Sequence, residues 1–165
     1  MISQRYGLRI TLKVGEIWNV CINDFVIFLF IHYSYSCMPK IELLFLVDDD
    51  PDDQHVFAEA LSEIDTDVNL VTASNGLEAL ETLKRNHSRL PDLIFLDLNM
   101  PKMNGKQFLK EIKSLSPFRD IPVVIYSTSS AKMDMDETLA MGAEGFIVKP
   151  DSFGAVCEAI RGVIK

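Results

Sequence analysis

Cysteine is scarce in this chain of 165 residues: Cys21, Cys37 and Cys157 are its only three. Thiols so few and so scattered exclude a disulfide framework and a tetrahedral zinc site, which needs clustered thiolates. A reducing cytoplasm is the expected location. Positive charge is also in the minority, with 16 Lys and Arg against 24 Asp and Glu and a formal net charge of -8. A field of that sign repels a phosphate backbone, so nucleic acid is not an expected partner. Long apolar runs are missing too. The run Phe25-Val-Ile-Phe-Leu-Phe-Ile31 has seven residues and follows Asn23 and Asp24 directly, whereas about 20 are needed to cross a bilayer. No membrane association is expected. Gly-rich phosphate loops of the Walker or dinucleotide type are absent as well.

What is present divides near Met38. Residues 1–37 contain no Ala and no Pro, yet hold seven of the fifteen aromatic residues and the only Trp, Trp18. Arg5, Arg9 and Lys13 precede the apolar run and Ser34 and Ser36 follow it. That layout is shared with secretory signals, but seven residues sit at the floor of their apolar range. The expectation is that Met38 is the true start, that residues 1–37 are an N-terminal extension from a mis-annotated start, and that 38–165 is the functional domain.

From Ile41 onward short apolar runs alternate with helical spacings. Ile41–Val47 reads as a strand buried on both faces, and it ends in acids. Pro51 suits the first turn of a helix, with Asp48 to Asp53 at its positive end and Val56, Phe57, Ala60, Leu61 and Ile64 as its apolar stripe. Val68–Ala73 predicts the next strand, capped by Ser74 or Asn75 into a helix through Leu77, Leu80 and Leu83. Asp92–Leu96, Ile121–Tyr126 and Phe146–Val148 predict three further strands. Their helices carry Phe108, Leu109 and Ile112, then Met133 to Met141 ended by Gly142, then Phe153, Val156 and Ile160. Five such units predict an α/β fold, a parallel sheet covered by helices on both faces. In folds of this kind the ligand site lies at the carboxyl ends of the strands.

Asp48-Asp49, Asp97, Ser127 and Lys149 each close a predicted strand. They therefore share one edge of the sheet. An acid after a strand is often only a helix cap, and a single Lys is often solvated surface. Such residues gathered at one end of four strands are not explained that way. An aspartate nucleophile, an acidic pair for a metal, a hydroxyl and a lysine are what a carboxylate needs to accept a phosphoryl group. His55 and His87 are lone helical histidines, read as surface rather than phosphodonor residues.

Over residues 40–164 the chain resembles the receiver domains of two-component response regulators, of the chemotaxis-regulator type. The resemblance rests on Leu46-Val-Asp-Asp-Asp-Pro-Asp-Asp53, Leu93-Ile-Phe-Leu-Asp-Leu-Asn-Met-Pro-Lys-Met-Asn-Gly105, Pro122-Val-Val-Ile-Tyr-Ser-Thr-Ser129 and Gly142-Ala-Glu-Gly-Phe-Ile-Val-Lys-Pro150. It implies a flavodoxin-like, doubly wound five-stranded sheet of order 2-1-3-4-5. It makes Asp97 the phosphoacceptor, and Asp48 and Asp49 the acids for Mg2+, Asp49 directly and Asp48 through water. Asn99 would complete the metal set with its backbone carbonyl. Lys149 would pair with the acceptor carboxylate and then with the phosphoryl group, and Ser127 would donate its hydroxyl to that group. Thr128 competes for this role, because adjacent strand residues face opposite ways; the motif favours Ser127. Phe146 matches the switch position, Pro150 the cis-proline position, and Tyr126, Met133, Met135 and Met141 would offer an adaptable contact face.

The implied function is a single-domain response regulator. It would take phosphate from a sensor histidine kinase or phosphotransfer protein and switch the binding of a downstream protein, with homodimerisation on phosphorylation left open. The implied protein is a signalling switch that catalyses only its own phosphorylation and dephosphorylation. Two other classes stand beside it. An aspartyl-phosphate phosphatase wants a second acid two residues after the nucleophile, where this chain has Asn99. A phosphorylation-independent pseudo-receiver would have no need of the complete site.

Overall fold

A parallel sheet with helices on both faces is what the computed structural model shows, over residues 40–64, 67–86 and 88–164. The expectations for residues 1–37, Met38 and His87 lie outside the described residues. Five units follow in order: β1 (Leu43–Val47), α1 (Pro51–Glu63), β2 (Asn69–Ala73), α2 (Gly76–Arg85), β3 (Leu93–Leu96), α3 (Gly105–Ser114), β4 (Val123–Ser127), α4 (Lys132–Ala140), β5 (Gly145–Val148) and α5 (Phe153–Ile164). A 3-10 turn, Phe118–Asp120, precedes β4. The sheet order is β2-β1-β3-β4-β5, every pairing parallel. The direction of winding reverses between β1 and β3, which opens a crevice at their carboxyl ends.

The central strands β1, β3 and β4 are apolar on both faces because each face meets its own layer. Phe45, Val47, Ile94, Leu96 and Ile125 pack with Leu80, Leu83, Phe108, Leu109 and Ile112 of α2 and α3. Leu44, Leu46, Phe95, Val124 and Tyr126 pack with Phe57, Leu61, Val156 and Ile160 of α1 and α5. At the centre of the second layer Phe57, Phe95 and Tyr126 meet edge to face, with ring centroids 5.0, 5.6 and 5.9 Å apart, the arrangement that ring quadrupoles favour. Tyr126 is thus core, 4% exposed, and does not belong to the contact face expected of it. Alternation along β4 turns it with Val124 toward α1 and α5.

Local chemistry sets the boundaries. Asp50 caps α1 by accepting from the Asp52 amide, and Asn75 caps α2 by accepting from Glu78. A reciprocal Asn104–Gln107 capping box starts α3. Asp92 precedes β3 rather than opening it, and its carboxylate accepts from the Glu42 and Leu43 amides at 2.8 and 2.9 Å, where β1 begins. Gly142, at φ +100, turns the chain after α4 as expected. Helix α4 has no side-chain cap, and it differs from the others in burying only Thr138, where each of them buries at least three residues. Lys106 of α3 bridges to Asp134 and Glu137 of α4 at 2.7 and 2.5 Å, and Ser129 donates to Asp134.

Candidate functional site

Backbone register places the two central carboxylates side by side. Val47 pairs with Leu96, and the Asp97 amide donates to the Val47 carbonyl at 2.9 Å, so the first residues beyond β1 and β3 are neighbours. Asp48 is fully buried and Asp97 is 5% exposed. Asp49 is exposed, and the ligand atoms of these three carboxylates lie within 4.8 Å of one another. They line an open cleft that also takes in Asp52, Asp53, Asn99, Thr128 and Lys149.

Two carboxylate oxygens in this cleft are short of partners. Asp97 Oδ2 accepts from the Asn99 amide at 3.3 Å, while its Oδ1 is buried with no hydrogen bond. Asp48 Oδ1 accepts from the Asp50 amide, while Oδ2 lies 2.8 Å from Lys149 Nζ at an angle that makes no aligned hydrogen bond. Burial pushes the Asp48 carboxyl above its ordinary range, and Asp97 adds to this; the Lys149 contact and the Asp50 amide offset it only in part. Buried, crowded and under-satisfied carboxylate oxygens favour a hard divalent cation, which takes oxygen ligands and keeps part of its water. The donor set fits such an ion.

Lys149 enters from the end of β5, where its amide donates to the Ser127 carbonyl at 2.9 Å. Its side chain is 9% exposed, and Nζ lies 2.8 Å from Asp48 and 2.7 Å from Asp53, with the Tyr126 ring centroid 5.7 Å away. Burial alone would lower its pKa, but the Asp48 and Asp53 carboxylates overrule that and hold it above the ordinary lysine range. Among the described residues no ion pair joins Lys149 to Asp97, the partner expected of it. Asp53 takes that place. Sequence reasoning left Asp53 as helix-terminal charge, and its only signal was position in the first turn after Asp48-Asp49.

Ser127 is the last residue of β4, not the residue after it. It is fully buried, and its Oγ accepts from the Ser129 amide at 3.5 Å; the exposed neighbour Thr128 lines the cleft. Asn99 is exposed at the rim. Phe146 is half-buried on the edge strand opposite Ile125, packed against the layer of α2 and α3. The expectation for Pro150 is overturned, because the cis bond among the described residues is Ser116–Pro117. Cis and trans forms before proline differ by only about 0.5–1 kcal/mol, so tertiary context decides. Gly105 was also missed. A Cβ there would lie 2.1 Å from the Asp97 carbonyl oxygen, so only glycine lets α3 start this close to Asp97.

Comparison with known proteins agrees with this geometry. Residues 44–161 match the family model described as Response regulator receiver domain. The sensor histidine kinase CheAY of Helicobacter pylori is 30% identical over 127 residues, 77% of this chain but only 15% of that one. The chemotaxis protein CheY1 of the same organism is 32% identical over 107 residues, 65% of this chain and 84% of its own length. Among solved structures, the phosphorylated cyanobacterial phytochrome response regulator RcpA superposes with a TM-score of 0.69 at 32% identity, covering 74% of this chain and 91% of that one.

Proposed function

Because the chain belongs to the response regulator receiver domain family, we propose that it is a phosphorylation switch with Asp97 as its acceptor. The donor is a phosphohistidine of a sensor kinase or phosphotransfer protein, a reading supported by a matched relative named as a sensor histidine kinase. An Asp97 carboxylate oxygen attacks phosphorus, the P–N bond breaks, and the imidazole nitrogen leaves with the electron pair. The observation that carries this is the convergence of Asp48, Asp49 and Asp97 within 4.8 Å beside a buried, charged lysine, with one Asp97 oxygen unpartnered.

Asp48, Asp49, Asp97 and the Asn99 backbone carbonyl would hold Mg2+, which supplies positive charge opposite the phosphoryl oxygens. The protein's own contribution is mainly position and electrostatics. The sheet fixes Asp97 through its amide bond to Val47. Lys149 neutralises charge as the phosphoryl group arrives. Ser127 Oγ accepts from the Ser129 amide and keeps its hydroxyl proton to donate to that group, which links transfer to the β4–α4 segment. Phe146, on the half-buried edge strand, is the aromatic able to follow Ser127 inward. Partners would then read the face formed by α4 and β5, where Met133 is 74% and Val148 42% exposed. Cys157, free and buried, suits the cytoplasm. Among the described residues no helix is long and apolar enough to cross a membrane.

The test is intact mass after incubation with Mg2+ and acetyl phosphate. One phosphoryl group is gained by the wild type and none by Asp97→Asn. A fully metallated wild-type chain that never gains mass would end this reading.

A further inference from the structure

We infer that Asp53 is a positioning residue that holds Lys149 in reserve and competes with the phosphoryl group for it. The inference rests on the reading of Asp97 as phosphoacceptor and adds the regulation of that site. Lys149 Nζ is bracketed by two carboxylates at nearly equal distance, Asp48 at 2.8 Å and Asp53 at 2.7 Å. The two partners differ in what surrounds them. The Asp48 side chain is 1% exposed, while that of Asp53 is 41% exposed.

That difference decides which contact yields. A buried carboxylate that loses its cation is left without solvent, whereas a half-exposed one is rehydrated at little cost. Asp53 is therefore the releasable partner. It also makes the better-directed contact, an aligned hydrogen bond from Nζ, which the Asp48 contact lacks. Its place in the first turn of α1 anchors it to an element that packs against α5, so the latch spans residues 96 apart in sequence. When phosphoryl oxygens arrive beside Asp97, Lys149 has to give up Asp53 to reach them. The phosphorylated state is then stabilised by whatever weakens the Asp53–Lys149 pair.

Four chains test this: wild type, Asp53→Asn, Lys149→Met and the double variant. Each is unfolded in urea without phosphodonor, then phosphorylated with Mg2+ and acetyl phosphate. The expected results are a non-additive stability effect of the pair and a rise of about two- to tenfold in phosphorylation rate for Asp53→Asn, with no rise when residue 149 is Met. Asp53→Glu should restore slower phosphorylation. Additive stability effects, or the same acceleration with and without Lys149, overturn the inference, the latter because simple removal of negative charge would explain it. A wild type that gains no phosphoryl group despite non-additive stability overturns the acceptor reading and the competition together. That outcome is distinct from a phosphorylated wild type whose Asp53→Asn variant is no faster.

Discussion

Replacing Gly105 with Ala tests whether the site is built by close backbone contact. The added Cβ would lie 2.1 Å from the Asp97 carbonyl oxygen and 2.8 Å from Leu98 Cα. Ordinary contact begins near 3.4 Å, so the start of α3 and the end of β3 have to part by about 1.3 Å. Both sides of the contact are backbone, so no rotamer change relieves it. Overpacking of this kind costs about 1–3 kcal/mol, and at roughly 4 °C per kcal/mol for a domain of this size the melting midpoint falls by about 4–12 °C. The same parting moves Asp97, the proposed acceptor, and a misplacement of about 1 Å can cost on the order of a hundredfold in rate. Thermal unfolding by circular dichroism and the phosphorylation rate with acetyl phosphate measure the two effects on one sample. Gly154→Ala is the control: nothing lies within 4 Å of its Cβ, and Ala in a helix is neutral or stabilising by up to about 1 kcal/mol. A Gly105→Ala chain that melts within about 2 °C of wild type and is phosphorylated at the same rate would refute the reasoning.

Two further outcomes concern stability. Lys102 adopts φ 65 in the β3–α3 loop, a left-handed conformation that costs a side-chain-bearing residue about 1–2 kcal/mol. Lys102→Gly should stabilise by about 0.5–1 kcal/mol net of the entropy glycine loses, and a lower urea midpoint would contradict that. Burial raises the Tyr126 phenol to about 12, with Asp53 and Asp48 adding to this and Lys149 opposing it. The unfolded state ionises first, near its ordinary pKa of about 10, so this group's contribution to stability is constant below pH 10 and falls as pH rises from about 10 to about 12. The ultraviolet absorbance step lost in Tyr126→Phe should lie near pH 12; a step near 10 would show a solvated phenol.

Five strands and five helices were readable because the central runs of β1, β3 and β4 are buried on both sides and the first three helices each open on a capping residue with a local reason. Asn75 and Gly142 act where their chemistry says they should. The order 2-1-3-4-5 came from family resemblance, since periodicity does not say which strands are neighbours. At the site, Asp48, Asp49, Asp97 and Lys149 converge as expected, because strand termini in a parallel sheet point to one edge. The misses have a common cause. Asp53 already had a sufficient explanation as charge at a helix terminus, and its partner lies 96 residues away. Gly105 is required by a contact between two elements, not by its own φ. Tyr126 and Ser127 were misplaced by one step of alternation and one residue of strand length. Pro150 failed because two nearly isoenergetic isomers leave no local trace.

The fastening of α4 sets it apart from the rest of the molecule. Four helices are glued to the sheet by grease, which salt does not weaken, whereas α4 hangs from Lys106 by two carboxylates and from Ser129 by one. Ion pairs at a partly wetted rim weaken as electrolyte rises. One side of this protein is therefore held by contacts that its ionic surroundings can loosen, while the scaffold beneath it stays indifferent to them.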